Sequence, residues 1–458
     1  MISVKTHENI IYRNLWIVFL EIFHRFPSYD IITTPSLVSI LGNPMNLSLY
    51  PKTSDPKGFV IIAMMCIAEV FGMLGVFAFP ALLPYFLKLW GLSNGQAGWI
   101  NGIYFAGYTV AVPLLTSLTD RIDARRIYLN FCILGILSNL GFAFLARGFW
   151  SALLFRGLSG LGLAGTFIPG LKAIIDRLEA HAHPRAVSLY TACFGLGVSI
   201  SFYFAGEMFR WFGWKETFGI AAMGSIFSLL LSFLVLKPKS IPVVSYGTTM
   251  DHILNFKPIW KNQQTRAYIL AYMCHMWEMF AARSWMVAFL SFSITLQKTP
   301  GDFMAPTTVM AVAGIGGMLA SILGGELATR IGRRRVVTAI LGISSLMALT
   351  IGFSAPMPYN VVVTLCMVYT LFFQGDSAAI HTGVITSTAP ERRGAAMALQ
   401  SLGGFAAASL GSVAAGLMLD ITGGGSTVLS WVLTFGFMGI AAGLGAVLLH
   451  RIHRPNGY

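Results

Sequence analysis

Seven ionisable side chains, Glu69, Arg156, His275, Glu278, Arg283, Asp376 and His381, lie inside long apolar runs of the sequence. A charge at bilayer depth costs at least about 2.5–3.5 kcal/mol on insertion scales, so each of them calls for an explanation. A carboxylate in a poorly solvated site is less stable charged, which makes Glu69 and Glu278 candidate carriers of a proton. The alternative is a permanently neutral Glu bonded to a helix backbone. Guanidinium forks match carboxylate geometry, so Arg156 and Arg283 are candidate anchors for an anionic substrate, or else neutralise a buried Glu or Asp. His275 is a candidate proton relay or a plain buried histidine. Asp376 is expected to pair with an Arg from another helix, and His381 to be solvated. At 100° per residue Tyr272, His275, Met279 and Arg283 fall within about 80° of one helix face, with Glu278 about 60° further round. Tyr104, Tyr108, Trp277 and Trp285 are candidate cavity walls, although aromatics at helical spacing are more often packing residues.

These residues must be positioned by membrane-spanning helices. Apolar types make up 55% of the 458 residues and charged types 11%, and mean hydropathy is +0.70. Soluble domains carry about 25% charged residues, so most of this exterior must face lipid. Twelve runs are long enough to span: 58–87, 97–118, 126–146, 150–172, 186–206, 216–236, 267–293, 305–328, 334–354, 360–384, 394–417 and 427–449. The expected fold is therefore an all-α polytopic membrane protein of twelve transmembrane helices in two pseudo-symmetric six-helix bundles. The expected organisation is an N-terminal cytoplasmic or interfacial segment (1–57), a first bundle (58–236), a cytoplasmic linker (237–266), a second bundle (267–450) and a cytoplasmic tail (451–458). Residues 10–26 carry Arg13, Glu21, His24 and Arg25, too many charges for a span. They read as an interfacial helix or as sequence upstream of a true start at Met45.

The net charge of +13 comes from Lys and Arg clustered in alternate loops, among them Arg121, Arg125, Arg126, Arg177, Arg185, Arg330, Arg333, Arg334, Arg335, Arg392 and Arg393. That alternation is a topology signal, not a nucleic-acid stripe, and places both termini in the cytoplasm. The halves repeat. Arg121 and Arg330 are 330 − 121 = 209 positions apart, Glu69 and Glu278 are 278 − 69 = 209 apart, and Phe71 and Phe280 share that offset. A common offset argues for a duplicated six-helix unit.

Gly325-Glu326-Leu327-Ala328-Thr329-Arg330-Ile331-Gly332-Arg333-Arg334 resembles the loop signature that follows the second and eighth helices of the major facilitator superfamily. The first copy keeps Leu118, Asp120, Arg121, Arg125 and Arg126, with Thr116 and Asp123 where the family has Gly. Phe155-Arg156-Gly157-Leu158-Ser159-Gly160 resembles the family's fourth-helix pattern, and Pro390-Glu391-Arg392-Arg393-Gly394 its later cytoplasmic loop. The resemblance covers residues 58–450. It implies two bundles rocking about a central site lined by helices one, four, seven and ten, the helices on which the seven intramembrane charges fall. It also implies a cytoplasmic gate formed by the motif residues Asp120, Arg121, Arg125, Gly325, Arg330, Gly332 and Arg333.

Other signals are rejected. Gly160-Leu161-Gly162-Leu163-Ala164-Gly165 fits a dinucleotide fingerprint literally but lies in an apolar helix with no preceding strand. The five cysteines form no CxxC pair, and His181 with His183 is not a metal site. No P-loop, HExxH or GxSxG is present, so neither an enzyme nor ATP-driven transport is implied, and no cofactor or metal. The expected function is a secondary active transporter working by alternating access, proton-coupled, for a small organic, anionic solute. The site candidates are Glu69, Arg156, Tyr272, His275, Glu278, Arg283 and Asp376. The expected partners are a small-molecule substrate, protons and the lipid bilayer, with the chain monomeric in a plasma (bacterial inner) membrane. A proton-antiport exporter of drugs or metabolites and a non-transporting receptor on the same fold are the alternatives. Glycines without a proline around Gly195 and Gly197 disfavour the drug antiporter.

Overall fold

The first span is not one helix. In the computed structural model it is α1 (Pro56–Gly72), a turn over 73–77, then α2 (Ala78–Ala81) and α3 (Leu83–Trp90). Pro80 explains the interruption, because it has no N–H to offer the Val76 carbonyl four residues back. The structure describes residues 56–119, 121–239, 256–298, 301 and 303–451, all within one compact unit, Asp55–Tyr458. The expected interfacial segment 10–26, Met45, Asp120 and most of the linker lie outside the described residues.

The remaining spans follow the apolar runs closely. They are α4 (Asn94–Leu118), α5 (Ala124–Leu145), α6 (Phe149–Ile175), α7 (His183–Phe212) and α8 (Trp214–Val235) in the first half. After the short α9 (Lys257–Lys261) come α10 (Gln263–Thr295), α11 (Pro306–Ile331) and α12 (Arg333–Ile351). The tenth span is split at Asp376 into α13 (Tyr359–Gly375) and α14 (Ser377–Thr386), and α15 (Arg393–Ile421) and α16 (Val428–His450) close the chain. No strand occurs among the described residues. Nine of the described helices are long and apolar enough to cross a bilayer by length and composition. The first span misses that measure because it is broken, α4 because it carries Asn94, Gln96 and Asn101, and α10 because it carries His275, Glu278 and Arg283. Val110, Phe144, Leu234 and Leu323 are each more than half exposed, as lipid-facing side chains are. Trp150 and Trp211 are exposed at helix ends, where indole rings anchor at the membrane interface.

Helix ends use local chemistry. Ser93 and Gln96 form a reciprocal capping box at the start of α4, with Ser93 N donating to Gln96 Oε1 at 3.0 Å and Gln96 N to Ser93 Oγ at 3.1 Å. Gly332 between α11 and α12 has φ +99°, a conformation that excludes most side chains.

The two halves meet along α4 and α15 and along α7 and α11. Small residues make the approach close. A Cβ on Gly98 would lie 2.8 Å from the Ser412 carbonyl, and one on Gly102 would lie 2.7 Å from the Ser409 carbonyl. On the other seam Gly206 faces Thr307 and Gly314 faces Ser199. The repeat offset reappears here, since 98 + 209 = 307 and both positions sit on a seam. Asp420, at the end of α15, clamps the start of α4 from across the halves. Its Oδ1 accepts from Asn94 N and Asn94 Nδ2, both at 2.9 Å, and its Oδ2 from Gly95 N at 2.7 Å. A carboxylate at a helix N-terminus meets the positive end of the helix dipole. The structure is therefore closed at the end that carries Asn94 and Asp420. Asp420→Ala leaves those N–H groups without their acceptor; amide exchange over 94–98 is expected to rise about tenfold, a loss of about 1.4 kcal/mol, as read by hydrogen–deuterium exchange mass spectrometry.

Candidate functional site

Arg156 lies on α6 and is fully buried. Its Nη1 donates to the Gly75 carbonyl at 3.2 Å and its Nη2 to the Val76 carbonyl at 2.8 Å. The guanidinium also stacks over the Tyr104 ring at 4.3 Å. Ser201 on α7 completes the support of the break: its hydroxyl donates to the Leu74 carbonyl at 2.8 Å and accepts from Phe77 N at 2.9 Å. Arg156 is thus a pin for the broken first span. The hydrogen bonds shown for Arg156 go to these two backbone carbonyls and not to a carboxylate. A cavity of about 30 Å³ beside the break, room for about one water, is lined by Gly75, Val76, Tyr104, Asn139, Ser159 and Thr166.

The two repeat-related glutamates are both buried, but each is bonded inside its own half. The Tyr190 hydroxyl on α7 donates to Glu69 Oε2 at 2.7 Å. Glu278 on α10 takes the Ser344 hydroxyl of α12, 3.0 Å from each of its oxygens, and the Tyr369 hydroxyl of α13 at 3.0 Å. They do not form a facing pair bonded to one another, because hydroxyl donors within each bundle claim them first.

The other candidates on α10 gather against the break at Asp376. His275 Nδ1 lies 2.8 Å from Asp376 Oδ1, and both side chains are buried. Asp376 therefore pairs with a histidine and not with the expected arginine. His275 Nε2 is 3.1 Å from Ser377 Oγ. Tyr272 stacks on His275 at 5.9 Å and meets His381 at 4.9 Å; His381 is exposed, as expected. Arg283 donates from Nη2 to Gln374 Oε1 at 2.6 Å and lies 5.3 Å over the Phe280 ring. Phe280 is on the boundary between the halves, 4.5 Å from Phe105 of α4, with Phe405 at 6.0 Å and Tyr108 against Phe405 at 4.1 Å. Trp285 and Trp277 pack within the second half: Trp285 Nε1 donates to the Ser412 carbonyl, and Trp277 meets Phe437.

The motif arginines hold the ends of their own halves in this conformation. Arg125 donates to the Phe233 carbonyl at 3.2 Å, Arg333 to Thr386 Oγ1 at 2.7 Å, and Arg330 to Glu326 on its own helix at 2.9 Å. Arg121 is exposed, Gly325 lies under Ala378, and Asp120 is outside the described residues. Asp123, where the family has Gly, is the hub at this end. Its Oδ2 takes Arg177 Nη2 at 2.8 Å and Lys239 N at 2.9 Å, and its Oδ1 takes Arg125 N at 3.1 Å. Burial works against its charge, but the Lys239 N–H, the Arg177 guanidinium and the Arg125 N–H outweigh it and hold the carboxyl below its ordinary value. Asp420, Gln374, Ser201, Tyr190, Ser344 and Tyr369 were missed by sequence reasoning. Only Pro80 within the first apolar run signalled the break that Ser201 serves.

The fold and this arrangement define a polytopic α-helical membrane protein of two six-helix halves, with its buried charges concentrated on the first, fourth, seventh and tenth spans. The family model of the Major Facilitator Superfamily matches residues 65–375 and 279–457, and the chain belongs to that superfamily. It is 27% identical over 168 residues to the niacin transporter NiaP of Acinetobacter baylyi, covering 37% of each chain. It is 25% identical over 221 residues to protein spinster homolog 1 of Bos taurus, covering 44% of this chain and 41% of that one. The matches thus span less than half the length of these relatives. The crystal structure of a bacterial homolog of the human lysosomal transporter Spinster, inward-facing and unoccupied, superimposes with a TM-score of 0.70. It is 14% identical, and the match covers 87% of this chain and 98% of that one.

Two outcomes are expected. Arg156→Gln leaves buried carbonyls short of donors and lowers stability by about 2 kcal/mol, with a smaller loss for Ser201→Ala, as measured by unfolding in detergent. Because the folded-state value of Asp123 is depressed, its contribution to stability is fully present above the ordinary value of 3.8 and is lost as the pH falls through the folded value. Asp123→Asn removes that acid-side loss, which a series of thermal unfolding curves against pH reads directly.

Proposed function

We propose that this protein is a secondary active transporter that works by alternating access, is coupled to protons and carries a small organic anion. The observation that carries the reading is Arg283. Among the described residues this buried guanidinium has one hydrogen bond, to Gln374, so most of its five donors are left for a ligand. It lies over the Phe280 ring, which in turn meets Phe105 of the first half and Phe405. One fixed cation set in an aromatic wall suits a small, flat carboxylate. The relative named a niacin transporter supports that substrate class, since niacin is an aromatic carboxylic acid.

In this reading the moving bodies are residues 58–236 and 267–450, joined by the 237–266 linker, and the arginine-rich loops lie in the cytoplasm. The seam clamped by Asp420 is then the outer gate, and the structure is closed to the outside. A ligand that binds only the native state raises apparent stability by about 2.7 kcal/mol at 100 times its dissociation constant. A thermal-shift screen of the purified chain against nicotinate, benzoate, aliphatic carboxylates, sugars and cationic drugs is expected to give stabilisation by carboxylates that Arg283→Gln abolishes. Stabilisation by cationic drugs alone would overturn the anion reading in favour of the exporter.

A further inference from the structure

The break in the tenth span does two jobs two residues apart. Gln374 at its start holds Arg283, and Asp376 at its centre faces His275. Helix α11 presses on this point, since Gly324 packs directly against the Gly375 carbonyl and Ser321 Oγ accepts from Ala378 N. Residues 374 to 378 thus carry the Arg283 contact, the His275 contact and both α11 contacts within five positions. Neither oxygen of Asp376 takes a well-aligned hydrogen bond, although the residue is completely buried. A buried carboxylate with unfilled acceptor capacity is costly to keep charged. With a neutral imidazole opposite, the pair carries a net charge of −1 in the protein core. One added proton makes it an imidazolium–carboxylate ion pair with no net charge.

Other aromatic and ionisable groups surround the pair. The Tyr272 ring lies between those of His275 and His381, at 5.9 and 4.9 Å, and His381 is exposed. The other ionisable groups near the pair are Glu278 and Arg283 on α10, Tyr369 on α13 and Tyr108 on α4. Glu278 is already bonded by Ser344 and Tyr369, and Arg283 by Gln374, so each is fixed by its own partner. From α15 the neighbouring polar group is Gln400, beside His381.

We propose that the His275–Asp376 pair binds the coupled proton, and that the 374–377 break transmits its state to Arg283 through Gln374. This rests on the proton-coupled reading above and names its site. A proton enters from the side of His381 and binds the pair without any bond being made or broken elsewhere. The change in charge reorients the broken segment, and Gln374 carries Arg283 with it. Substrate and proton are thereby linked through two neighbouring positions on one helix junction.

The test needs no substrate. Full-length protein in lipid nanodiscs is followed by hydrogen–deuterium exchange at about pH 5 and pH 8, the range in which a histidine site changes charge, with rates normalised to intrinsic exchange. The readout is the seam at 94–98 and 417–422. Wild type is expected to change seam protection about tenfold between the two conditions. Asp376→Asn and His275→Gln are each expected to remove that change, while Glu278→Gln keeps it. If both variants respond as wild type does, the assignment is overturned and proton coupling through another group survives. If wild type itself shows no response, the proton-coupled reading falls, and this assignment with it. If Asp376→Asn does not fold, His275→Gln alone decides between the first two results.

Discussion

A backbone carbonyl inside a bilayer must find its donor within the protein, because lipid offers none. That constraint organises the first half of this molecule. Pro80 withholds a donor from Val76, and the span opens into a turn. Arg156 enters from α6 to supply two N–H groups, with the face of Tyr104 beneath it. A guanidinium without partners could not stay at this depth, and the carbonyls without a guanidinium could not stay unpaired. Each makes the other tolerable, and Ser201 secures the remaining edge of the turn.

The duplication has preserved the frame and divided the chemistry. Glu69 and Glu278 keep equivalent places, yet one is held by a tyrosine of α7 and the other by a serine and a tyrosine of α12 and α13. Subtracting the offset of 209 from His275, Arg283 and Asp376 gives Cys66, Leu74 and Phe167, none of which can do the same work. Adding it to Arg156 gives Leu365. The first half therefore braces a broken helix, and the second half carries the ionisable cluster. The two breaks, at 73–77 and at Asp376, do not correspond under the repeat. Each is supported by whatever side chains its own bundle offers.

The contact between the halves combines two kinds of interaction. Glycines 98 and 102 allow close approach to the Ser412 and Ser409 carbonyls of the other half. Asp420 adds a directional set of charge-assisted hydrogen bonds at one end only. Away from that end the halves also meet through rings, with Phe105 against Phe280 and Tyr108 against Phe405.

The sequence by itself determined the membrane-embedded, twelve-span, duplicated architecture, since apolar run length, loop arginines and a constant offset are local or countable properties. It also marked nearly every buried ionisable group, because charge within an apolar run is costly wherever it lies. Partner choice was decided only by the tertiary structure. Arg156 and Arg283 read alike in sequence, as arginines in apolar helices, yet one meets carbonyls freed 80 residues earlier and the other a glutamine 91 residues later. Asp376 lies in an apolar run as read, but it pairs with His275 and not with an arginine, because the helix breaks at this residue and faces α10 there. Asp420 carries no signal in the sequence, because its partners lie 326 and 325 positions away. Hydropathy acts along the chain, whereas hydrogen bonds between spans depend on which helix faces are brought together, and that is fixed by packing of the whole bundle.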